Sequence, residues 1–415
     1  MRGRFLGAAA ILVAVGVVAS IAVAAAPPRG WQLLAAGKAQ GVFPLGYASG
    51  RVWFVIEDSS GNDSITSAHV GGSGLSSVVS TPMGQSPALP SSFVVGSGLV
   101  SLQGRSSVVA SLLASGKLGA SAPLPGDPEG TARDAFTPPN TSPDAWYAAA
   151  AVTVGGRTIW AVNGHSCPRS GSNQCTSNGG GYSSLVLCCT AAGEASDLTA
   201  LLANRTKAGA TDLAMGVDSH RRVWLAWLDG RQAHRPLGPG SLKLAQIDRG
   251  TLKAKSATLP ASVFPSGPGG SGAFVLACTD ACRLVYETVS GVYSWGGDGA
   301  PTQIWARNRL KDTGGHLIDA SGGGSLRVAS WSDKSANVPD DGQFLTTFRG
   351  DPRGRHPRVV SRVDIPRNLP AGGAHYFYPY SLPVPIYTPT ALVALALYSG
   401  GPGGSSRLLD AVLHG

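Results

Sequence analysis

Short apolar stretches alternate with polar turns along most of the chain. One phrase recurs seven times: a small or basic residue, an apolar strand that often carries Trp, and a polar turn. The spacing of the copies is close to the ~40–50 residues of a four-stranded propeller blade with loop insertions. The pattern therefore predicts a propeller repeat. The copies are Gly50–Asp58, Gly98–Arg105, Gly156–Gly164, Arg222–Gly230, Gly272–Asp280, Ser325–Asp333 and Thr390–Gly400.

A second apolar strand follows each copy after a turn, and a more polar third strand follows in most copies. We interpret the first two as paired inner strands of a blade and the third as its solvent-facing outer edge. The second strands are Ile65–Val70, Val108–Leu112, Ser184–Cys189, Leu242–Ile247, Arg283–Val289, Gln343–Phe348 and Arg407–Leu413. Examples of the third are Leu75–Ser80, Leu252–Leu259 and Arg358–Ile365.

The last copy has no third strand of its own, and an apolar stretch, Trp31–Gly37, is left over before the first copy. We expect this stretch to pair as the outer strand beside Arg407–Leu413, which would close the ring. The predicted fold is therefore all-β: a seven-bladed β-propeller closed by the N-terminal strand, with six or eight blades as alternatives. A two-domain β-sandwich is the other architecture considered. In the propeller interpretation, residues 27–415 form a single domain and a monomer.

Composition agrees with short strands rather than long helices. Charged residues make up 14% of the chain, against roughly 25% in an average soluble domain. The chain contains 57 Gly and 29 Pro, and 43% of its residues are hydrophobic, which is enough for a sizeable core. These values fit many strands joined by tight turns.

The formal net charge is +9, but the basic residues are scattered along the chain. The densest group, between Arg349 and Arg367, alternates with Pro and Gly in a turn-like stretch. A nucleic-acid-binding protein would show a basic stripe with interleaved aromatic residues, so no nucleic-acid partner is predicted. The chain has no Walker loop, and its one G-x-G-x-x-G, Gly267–Gly272, lies in a Pro/Gly turn, so no cofactor is predicted. Asn62-Asp63 and Asp340-Asp341 are interpreted as ordinary turns, and no metal site is predicted.

The N-terminus has the pattern of an export signal. Arg2 and Arg4 precede an uncharged apolar run, Phe5–Ala26, so the rest of the chain is expected to be extracytoplasmic. Ala22-Val23-Ala24 offers a cleavage site, whereas the 22-residue run is long enough to span a bilayer. Residues 1–26 are therefore a signal peptide or a membrane anchor, and the protein is secreted or held at the membrane by this segment alone.

Six cysteines lie in the exported part, which fits three disulfides in an oxidising compartment. Cys278 and Cys282 flank three residues between two apolar runs, so a hairpin would bring them within bonding distance. Adjacent cysteines in a strand point to opposite faces. Cys188 and Cys189 are therefore expected to pair with Cys167 and Cys175 of the preceding loop, with the pairing left open.

Two pairs of phrases resemble repeats of the sialidase-like β-propellers found in exported bacterial proteins: Arg222–Arg231 with Leu242–Asp248, and Gly50–Asp58 with Ile65–Val70. Of the family's Asp-box turn, S-x-D-x-G-x-T-W, Val338–Leu345 keeps the Asp and Gly but not the Ser, Thr and Trp. The resemblance implies a site in which three arginines converge on a substrate carboxylate, a Glu activates a Tyr, and an Asp acts as the acid. Tyr376, Tyr378 and Tyr380 form an aromatic cluster, but we expect them to pack between sheets. The same packing is expected of Trp53, Trp160, Trp224, Trp227, Trp295 and Trp331.

Three turns between the paired strands are unusually long: Asn163–Ser183, Asp229–Ser241 and Ser332–Gly342. Equivalent turns of a propeller emerge on the same face, and long loops on a rigid ring are where binding residues concentrate. The candidate ligand-binding residues are Arg231, His234 and Arg235, with Asp229 and Asp333 in the same set of loops. The expected function is a binding or scaffold module for a cell-envelope glycan, an anionic polymer or a protein. A sialidase-like exo-glycosidase is the alternative.

Overall fold

The computed structural model describes twenty segments of the chain. They are residues 30–35, 39–58, 60–84, 92–95, 98–101, 108–123, 141–154, 157–168, 182–188, 213–229, 240–248, 251–259, 274–288, 290–306, 316–320, 325–331, 344–353, 357–364, 384–399 and 406–414. All regular structure in these segments is β-strand. Within them, no helix is long and apolar enough to cross a membrane.

The described strands form seven antiparallel sheets that follow one another along the chain. Sheet I contains β2 (Ala39–Ala48), β3 (Arg51–Asp58), β4 (Asp63–Val70) and β5 (Leu75–Gly84). Sheet II contains β6 (Ser92–Val95), β7 (Gly98–Ser101), β8 (Val108–Leu112) and β9 (Leu118–Pro123). Sheet III contains β10 (Thr141–Val154), β11 (Arg157–Pro168) and β12 (Tyr182–Cys188). Sheet IV contains β13 (Leu213–Val217), β14 (Val223–Asp229), β15 (Gly240–Asp248) and β16 (Thr251–Leu259).

The remaining three sheets repeat the same order of strands. Sheet V contains β17 (Phe274–Cys278), β18 (Cys282–Thr288), β19 (Gly291–Trp295) and β20 (Thr302–Ala306). Sheet VI contains β21 (His316–Ala320), β22 (Leu326–Trp331), β23 (Phe344–Gly350) and β24 (Arg358–Asp364). Sheet VII contains β25 (Val384–Tyr387), β26 (Ala391–Ser399) and β27 (Ser406–His414), with β1 (Gln32–Ala35) as its fourth strand. The expectation of an all-β fold is confirmed, and six of the seven described sheets have four strands, whereas sheet III has three.

The first and last described strands pair with each other. Gln32 lies opposite Asp410, and Leu33 lies opposite Leu409, in an antiparallel register. The expected pairing of the 31–37 stretch with the 407–413 strand is therefore found. Trp31, just before β1, is 3% exposed and packs with Leu409 and Val363.

The position of the repeated phrase within each sheet differs from the prediction. In six sheets the phrase forms the second strand, because an additional strand precedes it. In sheet V the phrase Gly272–Asp280 instead contains the first strand, β17. The preceding strands escaped the sequence analysis because several are short and lack the Trp-and-turn pattern, as in the four-residue β6 and β25.

The core lies between neighbouring sheets rather than inside each one. Trp53 of sheet I packs with Leu99 and Leu112 of sheet II. Trp224 of sheet IV and Trp295 of sheet V belong to a cluster shared by those two sheets. The expected inter-sheet packing is confirmed for Trp53, Trp224 and Trp295, and Trp227 is likewise buried. The side chains of Trp160 and Trp331, and residues 376–380, lie outside the described part.

Neighbouring sheets contact each other through their first strands. These contacts join β2 to β6, β6 to β10, β10 to β13, β13 to β17 and β17 to β21. In addition, β25 contacts β2, which joins sheet VII to sheet I, and β24 of sheet VI contacts β27 of sheet VII.

The disulfide between Cys278 and Cys282 is confirmed, with a Cα–Cα distance of 3.9 Å across the β17–β18 turn. The expectation that Cys167 lies in a loop is wrong, because Cys167 is in β11 and faces Ser142 in the ladder. Cys188 is the last residue of β12. Residues 175 and 189 lie outside the described part, so the pairing of these four cysteines stays a prediction.

Candidate functional site

The ligand site expected from the sequence falls mostly outside the described residues. Asp229 is the last residue of β14 and lies opposite Ser241 of β15, so it is placed at the base of the sheet IV loop as expected. Arg231, His234, Arg235 and Asp333 lie outside the described residues, and their role stays a prediction.

The sheet III loop is shorter than predicted. Strands β11 and β12 continue into the expected loop 163–183, where Asn163 pairs with Leu185 and Ser166 pairs with Tyr182. Only residues 169–181 separate the two strands. The sequence analysis placed the loop boundary too early, because polar residues such as Asn163 and Ser166 are compatible with the end of a paired strand.

Each sheet has two kinds of end. The turns between its first and second strands, and those between its third and fourth strands, share one end, which we name the short-turn face. The turns between the second and third strands lie at the other end, the long-loop face. Hydrogen bonds link short turns of neighbouring sheets: Ser49 Oγ of sheet I donates to Leu112 O of sheet II at 2.7 Å, and Ser219 N of sheet IV donates to Thr279 O of sheet V at 2.8 Å.

A buried carboxylate organises the short turn of sheet IV. Asp218 is 4% exposed and accepts hydrogen bonds from Arg222 Nε at 2.7 Å and from Trp224 Nε1 at 2.8 Å. Its Oδ1 also accepts the backbone amides of His220 and Arg222. Burial opposes ionisation of Asp218, but the bonds from Trp224 and Arg222 outweigh it and lower its pKa. The carboxylate is therefore a structural anion that shapes the turn.

The sheet IV turn rests on the disulfide turn of sheet V. Arg222 Nη2 donates to the carbonyl of Asp280, and Ser219 Oγ donates to Asp280 Oδ1 at 3.1 Å. A Cβ atom added to Gly216 would lie 2.5 Å from Cys278 Sγ, so the disulfide packs directly against β13. The disulfide therefore holds a turn that binds its neighbouring sheet.

An arginine performs a similar role between sheets I and II. Arg51 is 2% exposed; its guanidinium donates to Ser67 Oγ at 3.1 Å and to the Ser77 carbonyl. Ser67 Oγ in turn donates to the Gly116 carbonyl of sheet II at 2.8 Å. Burial lowers the pKa of Arg51. Its described hydrogen-bond partners are neutral. We therefore interpret Arg51 as a residue that packs and hydrogen-bonds within the scaffold.

Sheet VII makes such contacts on both sides. Arg327 of sheet VI donates to the Thr388 carbonyl, and its guanidinium lies 5.0 Å from the centre of the Tyr387 ring. On the other side, His414 Nε2 lies 3.0 Å from the Gly72 carbonyl of sheet I. Asp410 accepts the Leu75 amide at 2.7 Å. Hydrogen bonds thus join neighbouring sheets at several places on the short-turn face.

The charge of the described turns differs between the two faces. In and beside the short turns, the exposed basic side chains are Lys117, Arg221, Arg349, Arg353 and Arg358. The exposed or half-buried acids there are engaged: Asp280 accepts Ser219 Oγ, Asp298 pairs with Lys255 at 2.7 Å, and Asp351 caps the Arg353 amide.

On the long-loop face, the described turn of sheet I is acidic. Glu57 and Asp63 face each other in the ladder, and Asp58 lies between them in sequence. Asp58 Oδ1 accepts the amides of Ser60 and Asn62, and these bonds, led by Asn62, lower its pKa. Burial and the nearby Asp58 raise the pKa of Asp63. The expectation of an ordinary Asx turn is met here by Asp58, and no group of three metal-ligating side chains occurs among the described residues.

Tyr286 does not have the surroundings of an activated tyrosine of the sialidase kind. Tyr286 is fully buried and stacks on Tyr293 with a centroid distance of 5.7 Å. Burial, with a smaller contribution from Tyr293, raises the pKa of Tyr286, whereas a nucleophilic tyrosine needs its ionised form stabilised. Arg222 and Arg327 each donate to a carbonyl of a neighbouring sheet, and sequence could not reveal this because these carbonyls are 58 and 61 positions away. Arg51 donates to acceptors within its own sheet I.

The chain matches no family model and no curated protein. Among solved structures it is similar to a puromycin hydrolase, with 13% identity and a TM-score of 0.46, over 93% of this chain and 55% of the other. It is also similar to a Trypanosoma rangeli sialidase (9% identity, TM-score 0.35, 91% of this chain and 55% of the other). A Bacillus licheniformis endo-arabinanase gives 15% identity and a TM-score of 0.30, over 78% and 93% of the two chains. The chain spans about half the length of the hydrolase and the sialidase. Likenesses of this size carry no argument about activity or ligand.

Proposed function

We propose that the chain is a seven-bladed β-propeller, closed by β1, that acts outside the cytoplasm as a binding module. The observation that supports this proposal is the succession of seven antiparallel sheets. The first strands of sheets I to VI contact one another in order, β24 of sheet VI contacts β27 of sheet VII, and β25 of sheet VII contacts β2 of sheet I. Pairing β1 with β27 gives the last sheet a strand from the other end of the chain, as ring closure requires.

A binding role accounts for the chemistry of the described side chains better than a catalytic role. The buried charges Arg51 and Asp218 are hydrogen-bonded within their own sheets and shape the scaffold. A rigid scaffold of this kind presents loops without contributing reacting groups. We place the ligand site on the long-loop face, with Arg231, His234 and Arg235 as its cationic residues. An acidic glycan or another anionic polymer of the cell envelope is the ligand class that such residues suit.

The test is binding of the full chain to immobilised acidic glycans and to cell-envelope polymer. The double variant Arg231→Glu/Arg235→Glu should lose binding, whereas Arg221→Glu/Arg353→Glu, which changes the same charge on the short-turn face, should keep it. Equal binding by both variants and the parent chain would contradict the proposal. Hydrolysis of a chromogenic sialoside by the parent chain would favour the glycosidase alternative instead.

A further inference from the structure

We propose that the short-turn face rests on an anionic phospholipid bilayer in which the apolar segment Phe5–Ala26 is retained. This inference builds on the proposed extracytoplasmic propeller and gives it an orientation. The long-loop face then points away from the membrane, toward the envelope ligand.

The direction of β1 supports this orientation. Because β1 runs antiparallel to β27 with Gln32 opposite Asp410, residue 30 lies toward the His414 end of sheet VII. That end carries the short turns, since His414 pairs with Ala391 at the start of β26 and reaches the Gly72 carbonyl in the β4–β5 turn. The chain therefore enters the propeller at the short-turn face.

The connection between the apolar segment and β1 is short. Pro27, Pro28 and Arg29 separate Ala26 from Gly30. At about 3.3 Å per residue, a link of three residues can span at most about 10 Å. A segment that ends in the bilayer would thus hold the short-turn face within about one Debye length of the headgroups.

The charge on this face matches such a surface. Lys117 of sheet II, Arg221 of sheet IV and Arg353 of sheet VI are exposed at short turns of three different sheets. Arg221 has a positive φ of 63° and lies in the turn between β13 and β14. Each Lys or Arg near an anionic leaflet contributes about 1 kcal/mol of attraction. Because the three residues come from alternate sheets, the attraction acts across the face rather than at one edge.

The acidic turn at the opposite face strengthens the same orientation. Glu57, Asp58 and Asp63 would be repelled by an anionic leaflet. In this orientation the described acidic turn of sheet I is distal, and the described basic turns Lys117, Arg221 and Arg353 are proximal.

The experiment uses the full chain reconstituted in vesicles of phosphatidylcholine alone or of phosphatidylcholine with phosphatidylserine. Amide hydrogen exchange is followed in the short turns 113–117 and 219–222, with the long-loop-face turn 58–63 as internal control. We expect exchange in the short turns to slow about tenfold in the anionic vesicles, with the control turn unchanged. The double variant Arg221→Glu/Arg353→Glu should lose the slowing, whereas Arg231→Glu/Arg235→Glu should keep it.

Equal exchange in both vesicles, or slowing confined to turn 58–63, would overturn the proposal. Mass measurement of the protein from a membrane fraction of exporting cells tests retention separately, and absence of residues 5–26 would also overturn it. Protection of core amides in sheet IV, such as that of Leu225, shows whether the variants are folded. Glycan binding by the same variants reports the long-loop site, so failure of this inference and failure of the proposed function give different results.

Discussion

The backbone amide of Leu75 in sheet I donates a hydrogen bond to Asp410 Oδ2 in sheet VII at 2.7 Å. The two residues are 335 positions apart in sequence, and Asp410 is 1% exposed. Its other oxygen, Oδ1, has no hydrogen-bond partner among the described residues. Burial raises the pKa of Asp410 to about 6, against the smaller opposing effect of the Leu75 bond. The protonation of this one buried carboxyl therefore affects the contact between sheet I and sheet VII.

The stability of the protein should depend on this carboxyl. Between about pH 4 and pH 6 the folded protein holds a proton that the unfolded chain has released, so the free energy of unfolding falls as pH rises through this range. We expect Asp410→Asn to remove this dependence and to stabilise the protein at neutral pH by at most about 3 kcal/mol. Calorimetry at acidic and neutral pH checks both effects. Asp298→Asn, at an exposed carboxylate, is the control and should leave the pH dependence unchanged.

Ionised Asp218 should make the free energy of unfolding rise with pH, opposite to the effect of Asp410. Its lowered pKa means that its contribution is present above the unfolded pKa near 4 and is lost as pH falls below it. Asp218→Ala should destabilise the protein by about 3 kcal/mol, because Trp224 Nε1 and the Arg222 guanidinium lose a charged partner. Urea unfolding measures the change. A loss below about 1 kcal/mol, the size expected for an exposed pair such as Lys255–Asp298, would contradict this role.

The disulfide should stabilise the contact between sheets IV and V. Its small loop predicts roughly 2 kcal/mol from restriction of the unfolded chain. The Thr279 carbonyl in the same turn accepts a hydrogen bond from the Ser219 amide. The double variant Cys278→Ser/Cys282→Ser should therefore also speed hydrogen exchange at Ser219. Exchange at the Asn62 amide, held within sheet I by Asp58, serves as the reference and should not change. Unaltered exchange at Ser219 would show that the turn keeps its shape without the bond.

The N-terminal strand should contribute through Trp31. Trp31 is 3% exposed and packs against residues of sheets VI and VII, so Trp31→Ala should cost about 3–5 kcal/mol. Leu33, two residues further along, is 44% exposed, and Leu33→Ala should cost less than about 1 kcal/mol. Comparing the melting temperatures of the two variants distinguishes the loss of buried packing at Trp31 from the effect of any substitution in this segment. Similar melting temperatures would mean that the strand does not support the fold.

The sequence by itself determined the strand-rich class, the repeat and the Cys278–Cys282 bond. It could do so because alternation of apolar and polar residues is local, and a three-residue turn brings its own flanking cysteines together. It also indicated the pairing of β1, since a missing outer strand and an unassigned apolar stretch are both visible along the chain. The first strand was missed in six of the seven described sheets, because a strand as short as β25 carries too few residues to show a period.

Only the tertiary structure decided what the buried charged residues do. Arg51, Asp218 and Asp410 look like ordinary polar positions in the sequence. Asp410 meets the Leu75 amide of sheet I, and Arg222, which Asp218 holds, meets the Asp280 carbonyl of sheet V, only because those turns fold against them. The basic short-turn face was equally hidden, because Lys117, Arg221 and Arg353 are far apart along the chain. Charge, burial and hydrogen bonding act through space, so their consequences appear only once the antiparallel order of the strands has assigned each turn to one end of its sheet.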